Sequence, residues 1–239
     1  MRKLLLLSNS KLHGEPRLEF AKDTIIASCK KHCVSDILFV PYALKDHDEY
    51  TKMMTEPLAA MGFTVRGIHT FPSPKQAVEK AQCVFVGGGN TFRLLKELYD
   101  NELVDVIHKR VMDGKLMYMG ASAGTNVATA SIHTTNDMPI VYPPSFEALN
   151  LVPFNINPHF VDPDPSSTHM GETRTQRILE YLEMGNNRPV LGLYEGCLLE
   201  IEGNKCILKG KRGAKLFAEG HNDAKETFTD NQDISFLLG

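Results

Sequence analysis

The chain has 239 residues, a length that suits one large α/β domain, although two small ones would also fit. Apolar residues make up 42% and charged residues 23%, ordinary proportions for a globular chain. The net charge of −3, with both signs interspersed, gives no electrostatic case for nucleic acid or an anionic membrane surface.

Met1-Arg2-Lys3 followed by four leucines has the opening of a signal peptide. The apolar run stops at Ser8-Asn9-Ser10, short of a full hydrophobic region and with no small-residue cleavage site behind it. The expectation is a buried first strand over residues 3–7 and a cytoplasmic chain. Further short apolar runs at 36–40, 64–69, 83–86, 115–119, 154–156 and 190–193 read as buried parallel strands. Helical spacing falls between the early runs, at 16–31, 48–61, 75–80 and 91–113 (the last in two pieces), and again at 173–184. Pro57 lies inside the second of these and predicts a kink. Strand alternating with helix predicts a doubly wound, mostly parallel sheet with helices on both faces. Residues 197–201, 205–208, 214–217 and 226–228 are short runs, some split by glycine turns, and predict a small antiparallel C-terminal extension. No linker interrupts residues 1–239, so a single domain is expected. The segments 136–144 and 158–168 carry prolines and predict long loops, the places where sites gather in α/β sheets. The five cysteines are odd in number and irregularly spaced, which argues for reduced thiols rather than a disulfide framework or a zinc set.

The run 115–119 leads directly into Gly120-Ala121-Ser122-Ala123-Gly124, with a helix expected from Thr125. This is the strand–turn–helix context in which a serine is held on a sharp elbow, flanked by small residues and by free N–H groups. Ser122 is the candidate nucleophile. Gly87-Gly88-Gly89-Asn90-Thr91 also follows a strand and precedes a helix; it lacks the lysine and spacing of a P-loop. Its unobstructed backbone suits an oxyanion hole, with donors on Gly88 or Gly89 and on Ala123. Of nine histidines, His159 is the best-placed base, in Asn157-Pro158-His159-Phe160 just past a strand. Two carboxylates compete to orient it: Glu195, after the run 190–193, and Asp137, which would give the chain order Ser, Asp, His. Position along the chain leaves that choice open.

The motifs Gly87-Gly88-Gly89-Asn90-Thr91, Gly120-Ala121-Ser122-Ala123-Gly124-Thr125-Asn126, Thr135-Asn136-Asp137-Met138-Pro139, Asn157-Pro158-His159-Phe160, Gly171-Glu172-Thr173-Arg174 and Tyr194-Glu195-Gly196 occur together and in this order. As an ordered set, reaching to about Ile201, they closely resemble the peptidase E (α-aspartyl dipeptidase) family. The resemblance implies a flavodoxin-like sheet related to class I glutamine amidotransferases, with serine in place of cysteine at the elbow. It also implies cleavage of small peptides with an N-terminal aspartate, with no metal or cofactor. Carried over by motif, Ser122 is the nucleophile, His159 the base and Glu195 the third member. Asp137 takes a supporting role, toward the substrate ammonium or the His159 loop. Selectivity for aspartate needs a cation. Arg174 is the first candidate, because a guanidinium grips a carboxylate with two parallel hydrogen bonds. The competing reading is a surface Arg174 paired with Glu172 or Glu180. His169 and Asn90 are further candidates to line the pocket. The resemblance leaves a monomer or a small homo-oligomer equally open. Two other functions remain in view: a cyanophycinase-like hydrolase of β-aspartyl bonds with the same triad, and a non-catalytic α/β ligand-binding module.

Overall fold

A computed structural model describes residues 1–166, 168, 170–185 and 188–239. The first strand, β1 (Lys3–Leu7), is buried over its four leucines and precedes α1 (Lys22–Lys31). Helical structure before α1 is limited to a 3₁₀ turn at Glu19–Ala21. Leu18, at φ 64°, breaks the backbone, so the helix begins later than the apolar spacing suggested. Next come β2 (Asp36–Val40), α2 (His47–Ala60), β3 (Thr64–Gly67), α3 (Pro74–Lys80) and β4 (Cys83–Val86). Asp46 caps α2 by accepting from Glu49 N at 2.9 Å, and Pro57 falls in its last turns. A 3₁₀ turn at Ile68–Thr70 cuts β3 short. The expected two-piece helix is α4 (Thr91–Asp100) and α5 (Leu103–Met112), separated at Glu102 with φ 55°.

Beyond them, β5 (Met117–Ala121) starts two residues later than expected, because the amides of Lys115 and Leu116 bond back to Arg110 O. The helix anticipated from Thr125 is instead a single turn, α6 (Ala123–Asn126). The Thr129 hydroxyl shares its one proton between Asn126 O at 2.7 Å and Ser131 O at 2.9 Å, drawing the following chain into a turn rather than a helix. The remaining elements are β6 (Asn155–Phe160), α7 (Arg174–Glu183), β7 (Val190–Tyr194), β8 (Leu198–Glu202), β9 (Lys205–Lys209), β10 (Ala214–Phe217) and β11 (Glu226–Phe228). A loop was expected at 158–160. The strand instead continues through Pro158, which β6 tolerates as the edge of its sheet, where a missing N–H breaks no ladder.

The strands form two sheets. The larger has the order β3-β2-β4-β5-β1-β8-β9, parallel as far as β1 and antiparallel beyond. The smaller has the order β11-β10-β7-β6, with β6 and β7 parallel. The two late strands read from the sequence therefore leave the main sheet. The expected antiparallel extension is divided, β8 and β9 joining one sheet and β10 and β11 the other. Helices α1 and α2 cover one face of the main sheet through Ile25, Cys29, Met54 and Leu58 packed on Leu5, Leu7, Phe39 and Phe85. The other face takes Leu94, Leu98, Ile107 and Val111 of α4 and α5, and the same apolar cluster runs on into Ile156, Leu191 and Phe217 of the second sheet. The architecture is thus α/β, with mixed but mostly parallel sheets and helices on both faces. Four of the five cysteines are buried and all are free. No helix of the described residues is long and apolar enough to cross a membrane.

Candidate active site

Strand register brings the reactive segments to one edge. Leu7 pairs with Ala121 and Val86 with Gly120, so Ser8, Ser122 and Gly87 emerge side by side at the carboxyl ends of β1, β5 and β4. Ligands gather at this edge of an α/β sheet. Ser122 holds φ 56° and ψ −113°, a conformation that costs a non-glycine residue about 1–3 kcal/mol and persists only where its surroundings impose it. They do so here. Ser122 N donates to Leu7 O at 3.1 Å, and the Thr125 hydroxyl shares its one proton between Leu7 O at 2.6 Å and Gly120 O at 2.9 Å. Asn126 Nδ2 ties the turn to Ile156 O of β6 at 2.9 Å.

The flanking glycines are steric necessities. A Cβ on Gly120 would lie 2.4 Å from Gly124 O, and one on Gly124 would lie 2.1 Å from Val86 O. Both obstacles are backbone and cannot swing away. Gly124→Ala is therefore expected to cost about 2–3 kcal/mol. For a chain of this length that lowers Tm by about 4–12 °C, to be measured by thermal denaturation. An unchanged Tm would show that the elbow yields more readily than its packing implies.

His159 reaches Ser122 from the second sheet. Its Nε2 lies 2.9 Å from Ser122 Oγ and its Nδ1 2.6 Å from Glu195 Oε1. The imidazole sits on a β-bulge. Pro158 pairs with Leu193 and Phe160 with Tyr194, leaving His159 as the extra residue at φ 55°. Such a bulge turns a side chain out of the regular alternation, here toward the elbow. Glu195 follows β7 in a turn whose next residue, Gly196, has φ 80° and donates its N–H to Asn9 Oδ1 at 2.8 Å. The His159 and Glu195 side chains remain 38% and 43% exposed, so the pair lies on an open face where a substrate can reach it. His69, His108 and His133 have partners elsewhere, at Asp48, Leu149 O and Ser131.

Gly88 packs against the serine: a Cβ there would meet Ser122 Cβ at 2.9 Å. The loop is propped from below by Tyr50, whose hydroxyl would lie 2.6 Å from a Cβ on Gly87. Burial pushes the Tyr50 hydroxyl above its ordinary pKa, against a hydrogen bond from the Gly88 backbone and the charge of Arg17. Gly89 at φ 134° passes over Ala43 O, closer than any side chain would allow. Asn90 caps α4 by accepting from Arg93 N at 3.0 Å, while its Nδ2 donates to Met138 O at 2.9 Å. Both polar groups of Asn90 thus hold the scaffold.

Asp137 is bonded to the head of α4. Its Oδ2 accepts from Thr91 N at 2.7 Å and from the Thr91 hydroxyl at 2.6 Å, at the start of α4. The His159 segment is held instead by its neighbours, Asn136 Nδ2 on Pro158 O at 2.8 Å and Asn157 Nδ2 on Thr134 O at 2.9 Å. Arg174 opens α7. Among the described residues its guanidinium makes no ion pair, and it is Arg177 that pairs with Glu172, at 3.5 Å. Burial, then Arg177, lower the Arg174 pKa, while the charge of Asp137 opposes them. A half-buried guanidinium with no ion pair among the described residues, feeling the charge of Asp137, suits a substrate bearing both a carboxylate and an ammonium. His169 lies outside the described residues.

Several residues of this site carried no signal in the sequence beyond their position. Ser8 and Asn9, read only as the end of an apolar run, hold the backbone of His159 and Gly196. Tyr194 donates to Asp162 Oδ2 at 2.6 Å, and Lys215 bonds Asp162 Oδ1 at 2.6 Å. Burial opposes ionisation of Asp162, yet the bonds from Lys215 and Tyr194 hold its carboxyl below the usual range; burial and this bond push Tyr194 up to about 12. The polar run directly after a buried strand was the one available pointer to Ser8 and Asn9.

Comparison with known proteins gives a consistent result. The profile of Peptidase family S51 matches residues 4–209. A probable alpha-aspartyl dipeptidase of Drosophila melanogaster is 53% identical over 238 residues, covering 99% of this chain and 98% of the relative. A peptidase E of Streptomyces coelicolor is 52% identical over 235 residues, covering 98% and 94%. A crystal structure of a putative peptidase E from Listeria monocytogenes superposes with a TM-score of 0.64 at 25% identity, covering 88% of this chain and 98% of that one.

Proposed function

This chain belongs to Peptidase family S51, and from that premise we propose that it is a serine-type dipeptidase that hydrolyses Asp-Xaa dipeptides through an acyl-enzyme on Ser122. The observation that carries the mechanism is the chain of contacts from Ser122 Oγ to His159 Nε2 at 2.9 Å and from His159 Nδ1 to Glu195 Oε1 at 2.6 Å.

Ser122 Oγ attacks the carbonyl carbon of the N-terminal aspartyl residue, and its proton passes to His159 Nε2. Glu195 keeps Nδ1 protonated and stabilises the imidazolium. The carbonyl π pair moves onto oxygen, where the N–H groups of Ala123 and of the Gly88–Gly89 loop receive the negative charge. Collapse breaks the C–N bond, and His159 Nε2–H protonates the departing amine. A water then attacks the ester, gives its proton to His159, and aspartate leaves as Ser122 Oγ recovers a proton. Arg174 binds the side-chain carboxylate of the aspartyl residue. The Asp137 oxygen that takes no hydrogen bond from a described residue receives the α-ammonium. In the fold, the order β3-β2-β4-β5 repeats the flavodoxin order 2-1-3-4 with β1 as the fifth strand, which supports a flavodoxin-like, doubly wound reading. The apolar cluster shared by both sheets supports a single domain over residues 1–239.

The test is a panel of Asp-Leu, Asn-Leu, Glu-Leu, β-Asp-Leu and Asp-Leu-Leu. Hydrolysis of Asp-Leu well above the others is expected. Preference for β-Asp-Leu would replace this reading with the cyanophycinase-like one, and no turnover of any member would refute a peptidase.

A further inference from the structure

The base and the acid of this site stand on neither of the elements that carry the serine and the glycine loop. They belong to the second sheet, and something must fix that sheet against β5. Besides the Asn126 bond to Ile156 O, contacts run through the two residues that follow β1. Ser8 is fully buried; its hydroxyl accepts from His159 N at 2.9 Å and donates to Leu193 O at 2.8 Å. Its own N–H donates to Cys197 O at 3.0 Å. Asn9, 2% exposed, accepts from Gly196 N at 2.8 Å and donates to Lys11 O at 2.8 Å.

These contacts answer a structural need. The extra residue of a β-bulge loses its ladder partner, so the His159 N–H would be unpaired in a buried place. The Ser8 hydroxyl is the partner. It can serve both strands because a hydroxyl accepts and donates at once. The backbone of β1 meanwhile pairs with β5 in the register Leu7 to Ala121, and Leu7 O receives Ser122 N. One short stretch therefore touches the backbone of the nucleophile, of the base and of the residue after the acid.

We propose that Ser8 is a positioning residue for His159, with Asn9 doing the same for the Glu195 turn, so that the end of β1 sets the distances within the Ser122–His159–Glu195 chain. The inference rests on the assignment of those three residues made above. Without the Ser8 hydroxyl, the bulge loses the bond that holds His159 at φ 55°, and the imidazole drifts from Ser122 while the substrate pocket around Arg174 is untouched. A misplacement on the order of 1 Å costs about a hundredfold in rate.

The experiment compares Ser8→Ala, Ser8→Cys and Asn9→Ala with the parent and with Ser122→Ala. The measurements are kcat and KM on Asp-Leu, Tm, and the far-downfield proton resonance of His159 Nδ1–H bonded to Glu195. Ser8→Ala is expected to lower kcat about tenfold to a hundredfold with KM within about twofold, and to broaden or shift the resonance. Ser8→Cys, which keeps the size and a weak donor, falls between. Parent-like kcat together with an unmoved resonance in Ser8→Ala would overturn the proposal. So would a rate loss that vanishes when assays are run well below the lowered Tm, since that marks a stability effect alone. Should Ser8→Ala not fold, the same criteria apply to Ser8→Cys and Asn9→Ala. If Ser122→Ala keeps its turnover, the assignment of the nucleophile has failed; if it is inactive while the Ser8 variants match the parent, only the present inference has.

Discussion

Ser122→Ala is expected to lower kcat on Asp-Leu by about 10⁴–10⁶-fold while leaving the protein folded. The size of the effect follows from the geometry. Ser122 Oγ is the atom aligned with His159 Nε2 at 2.9 Å, beside the Gly88 backbone. The fold is expected to tolerate the change because alanine keeps the Cβ and the same φ of 56°, and because the strain of the elbow is imposed by Leu7, Gly120 and Val86. Loss of one part-buried hydroxyl contact is worth about 1 kcal/mol. A sharper form of the prediction uses non-additivity. Groups that act as one unit lose nothing more once one of them is gone. The Ser122→Ala/His159→Ala double variant should therefore be no slower than Ser122→Ala alone, by stopped assays long enough to see residual turnover. Losses that multiply would mean that the two side chains act in separate steps, and the triad assignment would fall.

The second large effect is expected at Arg174. Arg174→Ala should lower kcat/KM for Asp-Leu by about 10²–10³-fold, or roughly 3–4 kcal/mol, as expected for a charged, two-point hydrogen-bonded contact. Asn-Leu should lose far less, because its amide never formed that contact. The parent protein is expected to reject asparagine for a related reason: its amide would leave a half-buried guanidinium without a counter-charge. Arg174→Lys keeps the charge and loses the planar fork, so it should recover only part of the activity. Equal losses on Asp-Leu and Asn-Leu would assign Arg174 to the scaffold of α7 instead of the pocket.

The parts of this protein that were legible in the sequence are those governed by neighbours along the chain. The boundaries of β1, β2 and β4 could be read because each is a short buried run with a polar, proline or glycine stop. The elbow could be read because only small residues pass a turn that sharp, and the contacts of Gly120 and Gly124 give the reason. The division of the long helical stretch into two pieces was expected without a position, and it falls at Glu102. Where a long-range contact decided, the reading stopped short. Pro158 looked like the start of a loop and lies within a strand, because β6 is an edge strand and its pairing partner β7 is some thirty residues away in the chain. The helix expected after Ser122 shrank to one turn because Thr129 and Asn126 found other backbone partners.

The competition between Asp137 and Glu195 shows the division most clearly. Chain order and residue type allowed either carboxylate to reach His159, and the family resemblance supplied the preference for Glu195. In the folded chain Glu195 Oε1 stands 2.6 Å from Nδ1, while the Asp137 carboxylate is bonded to Thr91 at the head of α4. By itself the sequence determined the strand, the elbow serine and the glycine loop, because backbone sterics and local burial dictate them within a few residues. The tertiary structure decided which carboxylate meets the histidine, that the histidine stands on a bulge, and that its N–H finds the Ser8 hydroxyl while Asn9 takes the N–H of Gly196. Those depend on the pairing of β1 with β5 and of β6 with β7, and alternation of side chains tells a strand which face is buried but not which strand lies beside it.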